Sequence, residues 1–407
     1  MAGALLPVEE ALGRVLDGVA PIGQECIPLD QAWQRVLAED VRATRDQPPF
    51  DASAMDGYAV RGDDVDGSKP KLLIIGTSQA GRGFTGAIGP GESVRIFTGA
   101  PLPPGADTVV IQENTRREGD RVILTEPGQR GRHVRRSGLD FRAGDLLIAA
   151  GTRLNARHIG LAAAANHHEL PVRRRPRIAI LPTGDELVAP GSTPRGDQII
   201  SSNNHSLAAF IRAMGAEPVD LGIVGDDLAA LDAAIARGLS ADVLVTIGGA
   251  SVGDHDLVQK ALIARGVDIA FWRIAMRPGK PLMFGHVQTG SAQPVRVMGL
   301  PGNPVSALIC ARIFLKPLIG ALLGRPEQDD TEIYPLASAL GANDQRQDYV
   351  RGRFRRSKAA GITVEPFSLQ DSSLQQSFAA ADCLIVRRPF APAAASGEPV
   401  EVLRLDF

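Results

Sequence analysis

Met298-Gly-Leu-Pro-Gly-Asn-Pro-Val-Ser306 has the residue types of an anion holder. An apolar run, Val295 to Met298, enters a glycine turn that leads directly into a helical pattern starting near Asn303. Asn303 suits an N-cap, Pro304 the first helical position, and Ala307 to Ala311 carry the helix onward. A strand, a turn whose glycines let backbone approach a ligand, and the positive end of a helix together make a phosphate cradle. The pattern recurs at Arg177 to Glu186, which ends in Thr183-Gly184-Asp185-Glu186, and at Val243 to Asp254, whose loop holds Gly248, Gly249, Ser251 and Gly253. Ligands in open α/β sheets bind outside the carboxyl ends of the strands. Three such loops, two of them with carboxylates, predict one pocket for a phosphorylated ligand that also takes a cation. Pro301, Gly302, Asn303, Pro304 and Ser306 belong to its third wall. Neither G-x-G-x-x-G nor the P-loop pattern occurs, so this is not a standard dinucleotide or Walker ATP site.

The ionisable residues around the loops divide between structural and chemical work. Asp227 is a natural N-cap for a helix from Leu228 to Arg237, which leaves Asp226 as the functional candidate. Asp185 reads as a cap or as a ligand contact, and Glu186 as a contact to the bound molecule or to a metal–water cluster. Asp254 and Asp256 flank His255 beside the cradle, where carboxylates share Mg²⁺ with phosphate oxygens. With Glu186 they make the expected metal set. No second histidine stands at metal-ligand spacing, so a zinc or iron site is not expected. Arg273, Arg277 and Lys280 form a basic ladder, and Lys280 is one of only six lysines among 44 basic residues. In a chain that favours arginine this strongly, a lysine beside Pro278-Gly279 reads as a chosen point charge.

A chain of 407 residues is too long for one core and predicts three or four domains. A net charge of −2 argues against a nucleic-acid or membrane-surface protein. Arg173 to Arg177 reads as a solvated linker, and Arg132 to Arg136 as a glycine-rich loop able to meet a small anion. Three distant cysteines fit reduced thiols better than a disulfide framework. No leader pattern and no apolar run of bilayer length stand out, so a cytoplasmic protein is expected.

The loops must be carried by alternating strands and helices. Helical patterns run over Val8 to Val19, Leu29 to Asp40 and Asn155 to His167, with short β runs punctuated by glycine and proline between them. Further on, helices close at Gly215, Gly238 and Gly266, with strands such as Pro218 to Val224 and Asp242 to Ile247 between them. That alternation predicts a doubly wound parallel sheet. The expected fold class is multidomain α/β plus β. Its parts are a discontinuous, mainly helical domain (1–46 and 142–175), an inserted β domain (47–141), an α/β domain (176–327) and a C-terminal β-barrel-like domain (328–407).

Thr183 to Leu187, Gly248 to Gly253, Met276-Arg-Pro-Gly-Lys-Pro281 and Gly299 to Ser306 resemble the molybdopterin molybdenumtransferases, a family that includes the C-terminal domain of gephyrin. Pro49 to Ala59 and Arg95 to Ala100 resemble two further signatures, in family order. The resemblance implies insertion of molybdate into adenylylated molybdopterin with release of AMP, with Mg²⁺ as cofactor. It implies a homodimer in which Asp56, Thr98 and Asp140 of one subunit complete the other's site, although Asp56 and Thr98 alone read as turn residues before glycine. Arg351 and Ser372 resemble positions that face the oxyanion, with Ser373 where histidine occurs and Asp371 where glycine is common. Arg273 and Arg277 stand where the family often has lysine. Other cofactor-biosynthesis proteins are implied partners. The alternatives are a molybdopterin adenylyltransferase and a non-catalytic scaffold, and tungsten in place of molybdenum stays open.

Overall fold

The computed structural model describes residues 5–248, 257–291, 293–325, 330–358 and 361–407. The chain forms two compact units, one of Met1–Glu25 with Arg173–Phe407 and a middle unit of Cys26–Val172.

Helix α1 (Val8–Leu16) opens the first of these, burying Val8, Ala11 and Val15 on one face. It stops short of the expected Val19 because Gly18 turns the chain with a φ of 60°. The helix expected over Leu29 to Asp40 is absent. Only Leu29–Gln31 forms a single 3-10 turn, and Gln34 takes a φ of 62° that ends any helix. The amides of Gln34 and Leu37 donate to the carbonyls of Leu154 and Thr152. That pairing buries Val36 and Leu37 against distant chain, so tertiary contact overrides local periodicity.

In the middle unit, strands β1 (Gly57–Val60), β2 (Lys71–Ser78), β3 (Glu92–Ile96), β4 (Thr108–Ile111), β5 (Thr115–Glu118) and β6 (Arg121–Leu124) form one sheet in the order β4-β1-β3-β2-β6-β5. Beyond that sheet, residues 26–46 and 142–172 contain one substantial helix, α2 (Ala156–Ala164), capped by Asn155 and His158. Short pairs such as Val41–Arg42 with Leu146–Ile148 fill the rest. The expected mainly helical character of this region is therefore corrected.

The α/β region carries β7 (Arg177–Pro182), α3 (Asn203–Ala213), β8 (Glu217–Asp220), α4 (Leu228–Gly238), β9 (Val243–Ile247), α5 (Leu257–Ala264), β10 (Asp268–Phe271), β11 (Met276–Arg277), β12 (Met283–Val287) and β13 (Val295–Leu300). The sheet order is β8-β7-β9-β13-β12-β10. β8, β7, β9 and β13 are parallel, whereas β12 runs antiparallel to both its neighbours, β13 and the edge strand β10. The expectation of a wholly parallel sheet is corrected by the loop 288–294, which is too short for a crossover helix and returns β12 to β13 as a hairpin. Ala179, Leu181, Leu244 and Val297 share one core with Leu231 and Ile235 of α4 and Val258 and Leu262 of α5. At the strand amino ends, Arg174 donates to both oxygens of Asp242 at 2.6 and 2.8 Å, and the Arg177 amide adds a bond of 2.7 Å. The arginine run is thus an anchor as well as a linker.

Helix α6 spans Pro304–Leu322, with a π-helical stretch at Ala311–Leu315, and has a mean hydropathy of 1.8. By length and composition alone it could cross a bilayer, although Arg312 and Lys316 interrupt its apolar run. In this fold 78% of that stretch is buried, as befits a core helix. Its Arg312 and Lys316 both bind Asp330. Strands β14 (Thr331–Pro335), β15 (Gln347–Ser357), β16 (Gly361–Pro366), β17 (Cys383–Arg387) and β18 (Pro399–Arg404) follow, with the short helix α7 (Gln375–Ala379) before β17. They form the order β11-β15-β17-β18-β14, with β16 on β15. β11 from the α/β region thereby joins the C-terminal sheet and carries Arg277 into it.

Candidate active site at the strand carboxyl ends

Because β7, β9 and β13 are parallel and in register at Pro182, Ile247 and Leu300, their loops leave from one edge. The Thr183 amide donates to the Ile247 carbonyl at 2.9 Å, and the Gly248 amide to the Leu300 carbonyl at 3.3 Å. Gly248 has a φ of 92°, and a Cβ there would lie 2.6 Å from the Thr183 carbonyl oxygen, so only glycine fits. A Cβ built on Gly302 would have Gly248 Cα at 3.9 Å as its nearest neighbour, which places the first turns of two loops side by side over open space.

Two helix starts meet at this edge. Pro304 occupies the first helical position of α6 as expected, but Asn303 makes no side-chain cap bond. The Val305 amide instead donates to the Ser372 carbonyl at 3.2 Å, which brings the predicted Ser372 to the cradle through its backbone. Ser306 is buried beneath it. At the start of α3, Asn203 Nδ2 donates to the Gly302 carbonyl at 2.6 Å, while its Oδ1 is buried without a partner among the described residues. Sequence reasoning missed Asn203. Its signal was the polar Ser201-Ser-Asn-Asn204 before an apolar helical run.

Asp227 caps α4, its carboxylate accepting from the Ala230 amide at 2.8 Å, and the Asp226 side chain is left exposed. Asp185 accepts from the Asp226 amide at 2.9 Å and so ties the first loop to the one before α4. Glu186 is exposed, its carboxylate lying over Gly184, where a Cβ would meet it at 2.3 Å. Gly249, Ser251, Gly253, Asp254 and Asp256 lie outside the described residues. Among the described residues, no three His, Cys, Asp or Glu side chains gather at metal-binding distance.

The basic ladder is not uniform. Lys280 is exposed, and its ammonium has no carboxylate partner among the described residues. Arg273 is half-buried, and its carbonyl accepts from the Leu6 amide. Arg277 is engaged, donating to Asp348 and, at 3.4 Å, to Asp344 and Asn343. Burial pushes the Asp348 carboxyl above the usual aspartate range despite that partner. Arg351, only 1% exposed, is no free oxyanion donor. Its guanidinium donates to the carbonyls of Leu369, Asp371 and Leu374 and to Gln370, and so shapes the loop that carries Ser372.

In the middle unit, Asp56 accepts from the Thr98 amide and from the Thr98 hydroxyl, each at 2.8 Å. Those two bonds, the amide first, hold its carboxyl below the usual range. The pair predicted from distant motifs is therefore one hydrogen-bonded unit. Asp140 is exposed, with its amide given to the Gln47 carbonyl.

Comparison with known proteins agrees with this arrangement. The MoeA N-terminal region (domain I and II) matches residues 6–166, a probable molybdopterin binding domain matches 179–321, and the MoeA C-terminal region (domain IV) matches 334–405. The chain is 32% identical to a molybdopterin molybdenumtransferase of Haemophilus influenzae, over 98% of both chains. It is 39% identical to one from Nostoc over 81% of this chain and 76% of that protein. The crystal structure of a molybdopterin biosynthesis moea protein from Pyrococcus horikosii superposes with a TM-score of 0.84 at 30% identity, covering 99% of this chain and 100% of that one. Matched from end to end by relatives of one name, the chain belongs to the molybdopterin molybdenumtransferase family.

Proposed function

We propose that this protein inserts molybdenum into molybdopterin, taking adenylylated molybdopterin and molybdate as substrates and releasing AMP. The observation that carries this reading is the meeting of Gly248, Gly302 and the start of α6 at one sheet edge, in a chain similar over its whole length to molybdenumtransferases. A stand-alone adenylyltransferase would need only the α/β domain, so the full-length likeness favours insertion.

The chemistry asked of the side chains is mainly electrostatic. The substrate carries a phosphoanhydride. Attack of an oxygen nucleophile, water or a molybdate oxygen, on phosphorus forms one P–O bond and breaks another, and the bridging oxygen leaves with its phosphate. Loop amides and the exposed Lys280 stabilise the charge on these oxygens. Molybdate is a tetrahedral dianion that needs fixed donors more than acid–base groups, and Lys280 with Arg277 supplies them. Glu186, exposed at the cradle, together with Asp254 and Asp256, which lie outside the described residues, would hold Mg²⁺, which would supply charge neutralisation of the phosphates. In this reading the protein is a cytoplasmic homodimer, and Asp56, Thr98 and Asp140 serve the partner's site.

The test is AMP release from adenylylated molybdopterin by the purified protein. Release that requires molybdate and yields a molybdenum-loaded pterin is expected. Release indifferent to molybdate, with no metal in the product, would reject insertion as the function.

A further inference from the structure

Arg277 is already engaged before any anion arrives. β11 and β15 run parallel with Arg277 in register with Asp348, and the guanidinium donates to the Asp348 carboxylate. Its other arm reaches Asp344 at 3.4 Å. Two carboxylates therefore hold the cation that the proposed reaction gives to a tetrahedral dianion. An oxyanion makes full use of that guanidinium only when one of them lets go.

The two acids differ in what each keeps when Arg277 turns away. Asp344 is exposed and accepts from the Arg346 guanidinium and amide at 2.8 Å each, which hold its carboxyl down at about 2. It stays charged and stays partnered. Asp348 is 7% exposed, and its second oxygen, Oδ1, is buried with no hydrogen-bond partner among the described residues. Arg387 stands opposite it in register on β17 but gives its guanidinium to the carbonyls of Gly341 and Pro392. Arg346 is committed to Asp344. Burial already raises the Asp348 carboxyl, Arg277 opposes that, and the Asp344 charge adds to it. Two neighbouring carboxyls pushed apart in this way take different parts. Without Arg277, Asp348 is a buried charge beside a dianion, and the protonated form becomes the cheaper one.

We infer that Asp348 is the counter-ion an incoming oxyanion displaces from Arg277, and that it takes up one proton from solvent as it yields the guanidinium. The inference rests on the function proposed above and adds to it a positioning residue that governs when Arg277 is available. Only an O–H bond forms in this step, on Asp348; Arg277 keeps its charge and the oxyanion its own. Because the bound state holds one proton more than the free state, oxyanion affinity rises as pH falls, by up to about tenfold per pH unit. Asp344 contributes no such slope, since Arg346 holds it ionised in both states.

The experiment titrates sodium molybdate into wild type, Asp348→Asn and Asp344→Asn by calorimetry, in buffers of different ionisation enthalpy between about pH 6 and 8. Wild type should take up a proton as it binds molybdate and bind it more tightly at the acid end. Asp348→Asn should take up none, lose the pH slope, and bind molybdate more tightly than wild type at the alkaline end. Asp344→Asn should keep the uptake. An infrared difference spectrum of wild type should gain the carbonyl stretch of a protonated carboxyl on molybdate addition, a readout that stands even if Asp348→Asn fails to fold. Wild type that binds no molybdate or takes up no proton, uptake that survives in Asp348→Asn, uptake lost in Asp344→Asn, or a spectrum without that stretch overturns the inference. If wild type still releases AMP in a molybdate-dependent way, that failure leaves the proposed function standing; absence of any molybdate-dependent release rejects both.

Discussion

Asn203 Nδ2 holds the carbonyl of Gly302 at 2.6 Å, so the helix that follows the first glycine loop fixes the third. The bond joins residues 99 positions apart and decides where the cradle amides point. Its partner atom Oδ1 is buried and has no hydrogen-bond partner among the described residues.

Replacing Asn203 by Ala removes the tether, while the helix start, which uses no side-chain cap at Ser202, stays in place. Molybdate-dependent AMP release should fall by about tenfold or more, equivalent to roughly 1.4 kcal/mol of barrier. The thermal midpoint should change little. Single-turnover rates beside a melting curve check this, and an unchanged rate would remove Asn203 from the site.

Arg351→Ala should destabilise the C-terminal sheet rather than act on molybdate alone. Loss of the guanidinium strands the carbonyls of Leu369, Asp371 and Leu374, each costing roughly 1–3 kcal/mol if left buried and unpaired. Arg351→Lys should not rescue it, because an ammonium lacks the planar fork. Limited proteolysis of the loop 369–374 reads the effect. A variant as stable as wild type but blind to molybdate would return Arg351 to the oxyanion.

Asp242 sets a pH dependence of stability. Burial raises its pKa, but the Arg174 fork and the Arg177 amide outweigh that, so its folded pKa is depressed. A depressed acid contributes stability above its unfolded pKa and loses it as pH falls through the folded value. Asp242→Asn should therefore cost roughly 1.5–3 kcal/mol at neutral pH, the range for hydrogen bonds to a charged group. The gap to wild type should close below the ordinary aspartate range. Denaturant midpoints across pH decide it, and a gap that persists in acid would mean shape, not charge, matters there.

The three strand ends were legible in the sequence because an apolar run buried on both faces, closed by Thr-Gly, Gly-Gly or Pro-Gly, is a local pattern. Asp227 as a cap and Asp226 as the free acid were legible for the same reason. What escaped was set by distant partners. The charge of Arg277 could be read, but not that Asp348, 71 residues on, engages it. Asn203 and Gln375 looked like ordinary polar residues until Gly302 and Ser202 stood beside them. Leu29 to Asp40 had helical periodicity, yet the paired chain at 152–154 claimed its amides.

Asp56 and Thr98 form one hydrogen-bonded pair, which should act as a unit if the homodimer shares its sites. An Asp56→Ala chain mixed with a Lys280→Ala chain should regain activity, because a heterodimer keeps one intact site. Sedimentation and exchange-controlled assays check this. A strict monomer, or no recovery after proven exchange, would confine the pair to a structural role.

The central claim is that molybdenum insertion takes place where the loops after β7, β9 and β13 meet. The most direct measurement is a single-turnover reaction of wild type and Gly248→Ala with adenylylated molybdopterin and molybdate, quantifying AMP and molybdenum-bearing pterin together. A methyl at Gly248 would sit 2.6 Å from the Thr183 carbonyl oxygen on a backbone with a φ of 92°, so it deforms this edge first. The account predicts AMP and loaded pterin in equal amounts from wild type and a loss of at least about a hundredfold, roughly 2.7 kcal/mol, in a variant that remains folded. Equal yields from the two proteins would contradict it.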